Sequence, residues 1–539
     1  MVGVTANRRD FVKGVGAGTA ALAVAPNAIA TAEANDDADA NADANESTEE
    51  FRGYWVDAFN DGLYTPEQVS NLVAEAKAAN LNVIVAEVVR RADFFGDEAL
   101  PPRTEADIAD GFDPLETLVE EAHAAGIEVD AWMVVNQMWN DAEPPESEEH
   151  VFNRHGPDSD DPWVSVREDG AVQQDDKYYF DPGHPGAADY LARTARSIVE
   201  NYDVDGINLD YIRYPTPAEA LYQVWGYNEV ALERFREETG RDDTPDHTDD
   251  EWEAWRRQQV TNLVRRIYLE CFDADPSVRV SADTITWWKG PQARDGGFEA
   301  TGAYFQVLQD WPSWMEEGIL DVNQPMNYKR GGDSQMFRDW ADFAANHQYD
   351  RDVAVGSALY LNDLGDNLDL IRAALSAGDE GNDTAGWVGY SYANPSDAVL
   401  SGDATPEEGR DELADALTES PPESDESPAF ADAAEVPDMP WKRREAHVAG
   451  VVTDRDGEPI EGVTVQLRAK GEIVRETTTT GNGWFGVVAA DPGRYHVQLA
   501  PGEVAGPRVR KVRVGEGELA TADFEVNGEV PPGESGDDE

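Results

Sequence analysis

The chain is poor in cysteine and in basic residues. Cys271 is its single cysteine in 539 residues, which allows no internal disulfide and no cysteine metal site. It reads as a small apolar residue on a helix. Lysine and arginine number 42 against 109 aspartates and glutamates, a net charge of -67, with a pI near 4.2. That balance excludes nucleic acid as a partner, because phosphate would be repelled. His123, His155 and His184 do not form a metal-ligand pattern, and the chain calls for no metal and no other cofactor. No glycine-rich phosphate loop follows the first strand, which disfavours an open dinucleotide-binding sheet.

The acidic residues are spread over the whole length, and the basic ones are mostly arginine. Such a surface suits a protein kept soluble in concentrated salt, where repulsion is screened within a few ångströms. In this it resembles secreted proteins of halophilic archaea. Residues 1–30 read as an export signal. Asn7-Arg8-Arg9-Asp10-Phe11-Val12-Lys13 looks like a twin-arginine motif, a weakly apolar run follows from Gly14 to Ala25, and Ala28-Ile29-Ala30 fits a cleavage site. The apolar run is too short to span a membrane, so the expected location is outside the cell. Residues 31–50 are low-complexity Ala, Asp, Asn and Glu, expected to be a disordered linker.

From Phe51 short apolar strands alternate with amphipathic helices. Strands are expected at 52–57, 82–89, 128–135, 204–212, 278–285, 320–328, 353–361 and 386–392. Helices are expected at 66–79, 114–125, 186–201 and around 251–272, the first opened by Thr65-Pro66 as cap and first turn. Eight such strands imply an α/β fold, a closed (β/α)8 TIM barrel over 51–400. The long polar segment 137–180 follows the third strand and is expected to wall the active face. Residues 401–445 are acidic and proline-rich, expected to be an extended, self-repelling linker. Strand-like runs and glycine turns over 446–527 imply a small all-β sandwich of about seven strands. Residues 528–539 form an acidic tail.

The stretch Val204–Pro215 is the centre of the barrel reading. Ile207 and Leu209 are apolar, Asn208, Asp210 and Arg213 then arrive together, and Pro215 ends the ladder. A carboxylate at the C-terminal end of a barrel strand is where this architecture keeps its chemistry. The run Asp205-Gly206-Ile207-Asn208-Leu209-Asp210-Tyr211-Ile212-Arg213-Tyr214-Pro215 is similar to the signature of family 10 glycosyl hydrolase-like proteins, which are distinct from family 10 xylanases. Arg52-Gly53-Tyr54-Trp55, the run from Gly126 to Trp132, the run from Phe180 to Pro185, and Pro325-Met326-Asn327-Tyr328 add to the resemblance, which covers about 51–395. It implies a TIM barrel acting on polysaccharide, often cell-wall or envelope glycan. The sequence departs from the family at the end of the second strand, Glu87-Val88-Val89-Arg90, and at Ser281-Ala282-Asp283 in the fifth. The tail resembles carboxypeptidase regulatory-like (transthyretin-like) modules, through residues such as Gly450-Val451-Val452-Thr453-Asp454 and Gly493-Arg494-Tyr495-His496-Val497. Its expected role is spacer or surface docking.

Glycoside cleavage needs two carboxyl groups flanking the bond. Asp210 is the first candidate, kept ionised by Arg213 and suited to nucleophile or charge stabiliser. Glu87 and Asp283 are alternative proton donors, with Trp132 near Glu87 and Trp287 and Trp288 near Asp283 as aromatic cover. For Glu87 the competing reading is a salt bridge to Arg90 or Arg91. Asp57 reads as a weaker third carboxylate, a hydroxyl acceptor or structural. Asn208 and Arg213 in the central run, with Trp132, Asn136, Tyr211, Trp287, Asn327, Tyr328 and Tyr392 at or past strand ends, are candidate sugar-binding residues; core packing is the competing reading for each. Two function classes stay open: a secreted glycoside hydrolase, and a catalytically inactive barrel that binds envelope glycan. A metal-dependent deacetylase is a minor third, opposed by the missing His-Asp set.

Overall fold

The computed structural model describes residues 48–217, 220–420 and 427–528. The expected export signal, all of the expected first linker except 48–50, and the tail beyond 528 lie outside the described residues.

Eight parallel strands close into a barrel: β1 (Phe51–Val56), β2 (Val83–Val89), β3 (Glu128–Val134), β4 (Gly206–Asp210), β5 (Arg279–Ile285), β6 (Val322–Met326), β7 (Asp352–Ala358) and β8 (Gly386–Tyr390). All eight expected strands are present. Several end sooner than the apolar pattern implies, because the chain leaves the ladder as soon as it reaches the rim. After Asp210, for example, Tyr211 takes a left-handed φ of 50°, and after Ala358 a single 3-10 turn covers Leu359–Leu361. The expected helices form at Pro66–Ala78, Pro114–Ala125, Pro185–Asn201 and Asp250–Ala274. Thr65 caps the first, accepting from the Gln68 N–H. Asp113 and the left-handed Gly126 bracket the second.

Alternation along each strand sends one set of side chains outward to the helices and the other into the barrel. The inward set includes Phe51, Trp55, Val85, Trp132, Val134 and Val388, which form one apolar cluster. Two glycines make room inside. A Cβ on Gly356 would stand 2.4 Å from the Trp55 ring, so the indole lies across the strand there. A Cβ on Gly206 would stand 2.2 Å from Asp130 Oδ1. Asp130 is fully buried and binds Arg279 at 2.7 Å, with Glu128 on the same guanidinium at 2.8 Å. This ion group fills the N-terminal end of the barrel, opposite the rim that carries the strand ends.

The expectation of an extended linker over 401–445 is corrected. Only 421–426 of it lies outside the described residues. Pro406–Thr418 is a helix closed by a Thr405–Glu408 capping box. It buries Leu413 and Leu417, and its Arg410 pairs with Glu75 at 2.6 Å. The acidic exterior hid these apolar contacts and the cations that anchor the segment. Phe430 is buried with the Arg52 guanidinium 4.4 Å above its ring. Glu435 accepts from the Glu50 N–H at 2.9 Å, so the last residues of the first linker are pinned too. Asp321, fully buried, accepts from the Trp441 indole at 2.7 Å and the Val280 N–H at 2.8 Å. Lys442 pairs with it at 2.8 Å.

The sandwich follows directly. One sheet holds Trp484–Ala490, Ala446–Thr453, Leu519–Thr521 and Phe524–Glu525, the last two on successive parts of Ala446–Thr453. The other runs Glu472–Thr478, Thr464–Ala469, Gly493–Leu499, Val509–Val514. It is no free module. Arg234 binds Glu461 at 2.9 Å, His447 packs edge-on to Phe272 at 4.3 Å, and a Cβ on Gly486 would meet Leu269 at 2.5 Å. Burial, with Lys442 adding to it, lowers the His447 pKa to about 3, so the ring is a neutral packing group.

Two outcomes are expected. Lys442→Met leaves the Asp321 carboxylate buried without its cation, and should cost about 3–5 kcal/mol, read as a lower denaturant midpoint. Dialysis from molar to millimolar salt should unfold the wild-type chain, because a net charge of -67 is then unscreened; unchanged circular dichroism would contradict this.

Candidate active site

The inward positions at the C-terminal ends of β2, β4 and β5 are Glu87, Asp210 and Asp283. All three are buried and line one pocket of about 400 Å³. Its inner walls are Trp55, Trp132, Tyr328 and Tyr390. Tyr328 and Tyr390 stack at 5.7 Å, and Trp55 meets both edge-on at 6.3 and 6.4 Å. Phe59, Arg90, Gln137, Asn140, Lys177 and Tyr211, with Val134 and Met326, complete the lining. Gln137, Asn140 and Lys177 come from the long segment after β3, which folds back through a short pairing of Gln137–Trp139 with Tyr178–Tyr179.

The three carboxyls ionise differently. Glu87 is pushed up from 4.5 to about 8, chiefly by burial. The Ala58 N–H, donating to Oε2 at 2.7 Å, and Arg90 oppose this without cancelling it. Asp210 rises only to about 6: burial raises it, while Arg213, the Tyr211 N–H at 2.6 Å, Trp132 and Lys177 hold it down. Asp283 is raised well above the usual carboxylate range by burial and then by the Asp210 charge. Asn208, under the floor, donates to Asp283 Oδ1 at 3.0 Å and also contacts Ser281 and Gln324. The Trp132 and Trp55 indoles favour the charged forms of Asp210 and Asp283 respectively, yet neither indole N–H closes a hydrogen bond among the described residues. Leu209 pairs with Ala282 in register, so Asp210 and Asp283 are side by side on adjacent strands. Glu87 stands two strands from Asp210, with Trp132 on the strand between. At neutral pH the arrangement offers an anionic Asp210 and a protonated Glu87 against an aromatic wall, the requirement for acid-assisted displacement at a sugar carbon.

Residues 50–361 match the profile of the glycosyl hydrolase-like 10 family.

The chain belongs to that family.

Residues 447–527 match the carboxypeptidase regulatory-like domain. Within the glycosyl hydrolase-like relatives, the chain is 25% identical over 338 residues to glycosyl hydrolase YngK of Bacillus subtilis, covering 58% of this chain and 62% of that one. It is 24% identical over 221 residues to glycosyl hydrolase DigH of Escherichia coli, covering 40% and 46%. The chain thus spans less than two thirds of the length of either relative. Among solved structures, the PgaB (BpsB) glycoside hydrolase domain from Bordetella bronchiseptica aligns with a TM-score of 0.46 and 14% identity, over 68% of this chain and 99% of that one.

Of the residues singled out from the sequence, Glu87, Asp210, Asp283, Trp132, Tyr211 and Tyr328 line the pocket. Arg213 sits behind Tyr211, its guanidinium 4.2 Å from that ring. Six need correction. Asn208 is fully buried and lies outside the pocket lining, donating to Asp283 Oδ1 at 3.0 Å. Asn136 is fully buried and donates to the Arg213 carbonyl, and Asn327, likewise buried, to the Phe337 carbonyl. Both tie loops together beneath the rim. Tyr392 lies past the end of β8 on the outer side, bonded to Glu75 at 2.7 Å and stacked under Arg410. Trp287 packs with Trp288 outside the pocket lining; Trp55 takes the place beside Asp283 expected of that pair. Asp57 does not line the pocket either: its Oδ1 accepts from Asn60 at 2.7 Å and the Phe59 N–H at 3.3 Å, folding the loop after β1. The competing reading for Glu87, a salt bridge to Arg90 or Arg91, is not met among the described residues; Arg91 pairs with Asp93 at 3.2 Å.

Sequence reasoning missed Trp55 and Tyr390. Both have a local signal, since each is the inward residue nearest its strand end. Lys177 has none; it arrives by the fold of a long loop.

A carboxyl whose folded pKa exceeds its unfolded one stabilises the fold below the unfolded value and loses that contribution as pH rises through the folded one. For Glu87 the window runs from 4.5 to about 8. Glu87→Gln, which keeps an acceptor for Ala58, should therefore raise the melting temperature relative to wild type at pH 8 and leave it unchanged at pH 4. A difference independent of pH would show that burial does not hold the proton on Glu87.

Proposed function

We propose that the protein is an exported glycoside hydrolase that cleaves glycosidic bonds in an envelope or extracellular polysaccharide, with the sandwich carrying any association with the cell surface. The observation that carries this reading is the set of three buried carboxyls with separated ionisation in one aromatic pocket. The paired arginines near the N-terminus support export. An inactive binding barrel has no use for desolvated carboxyls, each of which costs free energy in the folded state.

Asp210 is the ionised member, the nucleophile or the stabiliser of an oxocarbenium-like transition state. Glu87 is the proton donor. Its pKa suits a general acid, and the intervening strand separates it from Asp210 far enough for the two to flank a bond. Asp283 stands directly beside Asp210 and is held by Asn208, so it modulates Asp210 rather than facing it. Sugar rings stack on Trp132, Tyr328 and Tyr390.

Asp210→Asn should abolish turnover while sparing the fold and substrate binding. Glu87→Gln should lose about 10²- to 10⁴-fold on natural linkages and far less on activated aryl glycosides, which need little protonation. The wild-type rate should rise as pH passes about 6, when Asp210 ionises, and fall above about 8, when Glu87 loses its proton. Near-normal turnover by Asp210→Asn would overturn the assignment. If Asp283→Asn rather than Glu87→Gln showed the leaving-group dependence, the donor would be Asp283.

A further inference from the structure

Cations are scarce in this chain, 42 against 109 acidic residues, and those in the interior are generally committed. Arg279 binds Asp130, Arg351 binds Glu445, Lys442 binds Asp321 and Arg234 binds Glu461. The pocket mouth is different. Arg90 and Lys177 both line it, and neither side chain makes an ion pair or hydrogen bond among the described residues. Arg90 lies over the half-exposed Phe59 ring at 4.8 Å. Lys177 ends a tight turn whose two central residues, Asp175 and Asp176, both hold left-handed φ values of 50° and 61°, and whose ends exchange backbone hydrogen bonds at 3.0 and 2.9 Å between Gln174 and Lys177. Non-glycine residues adopt that conformation at a cost, so the turn sets Lys177 at one place on the rim. Its ammonium lies 6.0 Å from the Tyr211 ring. Arg213, only 6% exposed, lies 4.2 Å from the same ring, with Nε and Nη1 unpartnered among the described residues.

We propose that the pocket takes an anionic glycan, one whose sugars carry carboxylate or sulfate groups, and that Arg90 and Lys177 receive the anion at its mouth. This rests on the reading of the pocket as a glycan site. A neutral sugar needs no ammonium or guanidinium left without a partner. A polyanion does, because the field of a chain with net charge -67 otherwise repels it. In molar salt that field is screened within about 3 Å, while contact pairs at a partly buried mouth survive. Arg213 adds positive potential from behind Tyr211 and stays in place when the mouth is neutralised.

The test is binding to the full chain carrying Asp210→Asn, in molar potassium chloride, by calorimetry. The probes are oligogalacturonate with its carboxyl-reduced form, and a sulfated galactan oligosaccharide with its desulfated form. At least one anionic probe should bind about tenfold or more tighter than its neutral counterpart, and the winning pair tells carboxylate from sulfate. Lys177→Gln and Arg90→Gln, each added to Asp210→Asn, should shrink that ratio, with the larger loss falling on the anionic form. Equal or tighter binding of the neutral forms, no binding of either anionic probe, or a ratio indifferent to both substitutions overturns the proposal. The two readings fail separately. Cleavage of neutral glycan by the wild type with no anion preference leaves the hydrolase and removes the anionic substrate. Selective anion binding with no cleavage of any glycan does the reverse.

Discussion

Desolvation of carboxyl groups at the mouth of a closed barrel is the constraint on which the rest of this structure depends. Glu87, Asp210 and Asp283 are each at most 5% exposed, and burial is the leading influence on all three. An ionised carboxyl in such a place is costly unless neighbours answer it. Asp210 is answered by Arg213, Lys177, a backbone N–H and an indole; Glu87 by little more than the Ala58 N–H and Arg90. The unequal supply of partners makes one site hold both an anion and an acid.

Holding three carboxyls there demands a rigid frame, and the barrel supplies it by filling its interior with rings and ions rather than aliphatic layers alone. Trp55 needs the absent side chain of Gly356, and the Asp130–Arg279 pair needs that of Gly206. The side chains of Asn208, Ser281 and Gln324 form a polar floor under Asp283. A half-satisfied network of this kind is expensive, and its orphan atoms, such as the Trp132 and Trp55 indole N–H groups, point to a site shaped for a polar guest.

The chain after the barrel braces the frame from outside. Its acidic surface disguises a belt held by a few buried or partly buried cations: Arg410 on Glu75, Lys442 on Asp321, Arg351 on Glu445. With 109 acidic residues to choose from, an arginine or lysine finds a partner almost anywhere. Arg90 and Lys177, which act on the buried carboxyls only from a distance and close no contact ion pair among the described residues, are therefore informative.

Fold class was legible in the sequence because it depends on local periodicity. Apolar alternation marked all eight barrel strands, Thr65-Pro66 marked a helix start, and glycine turns marked the sandwich. The central run from Asp205 to Pro215 also located Asp210 on its strand end, and the departures from the family pattern in the second and fifth strands located Glu87 and Asp283. What the sequence did not contain was the relation between strands. Asn136, Asn327 and Tyr392 sit near strand ends like true lining residues, yet whether such a side chain enters the pocket depends on where the chain leaves the ladder, which backbone register and rim turns decide. Trp55 rather than Trp287 beside Asp283, the belt over 401–445, and Lys177 brought in by a turn in the long segment after β3 are likewise consequences of packing. Periodicity is a property of neighbours along the chain, whereas a partner for a buried charge is a property of neighbours in space, and that only the tertiary structure decided.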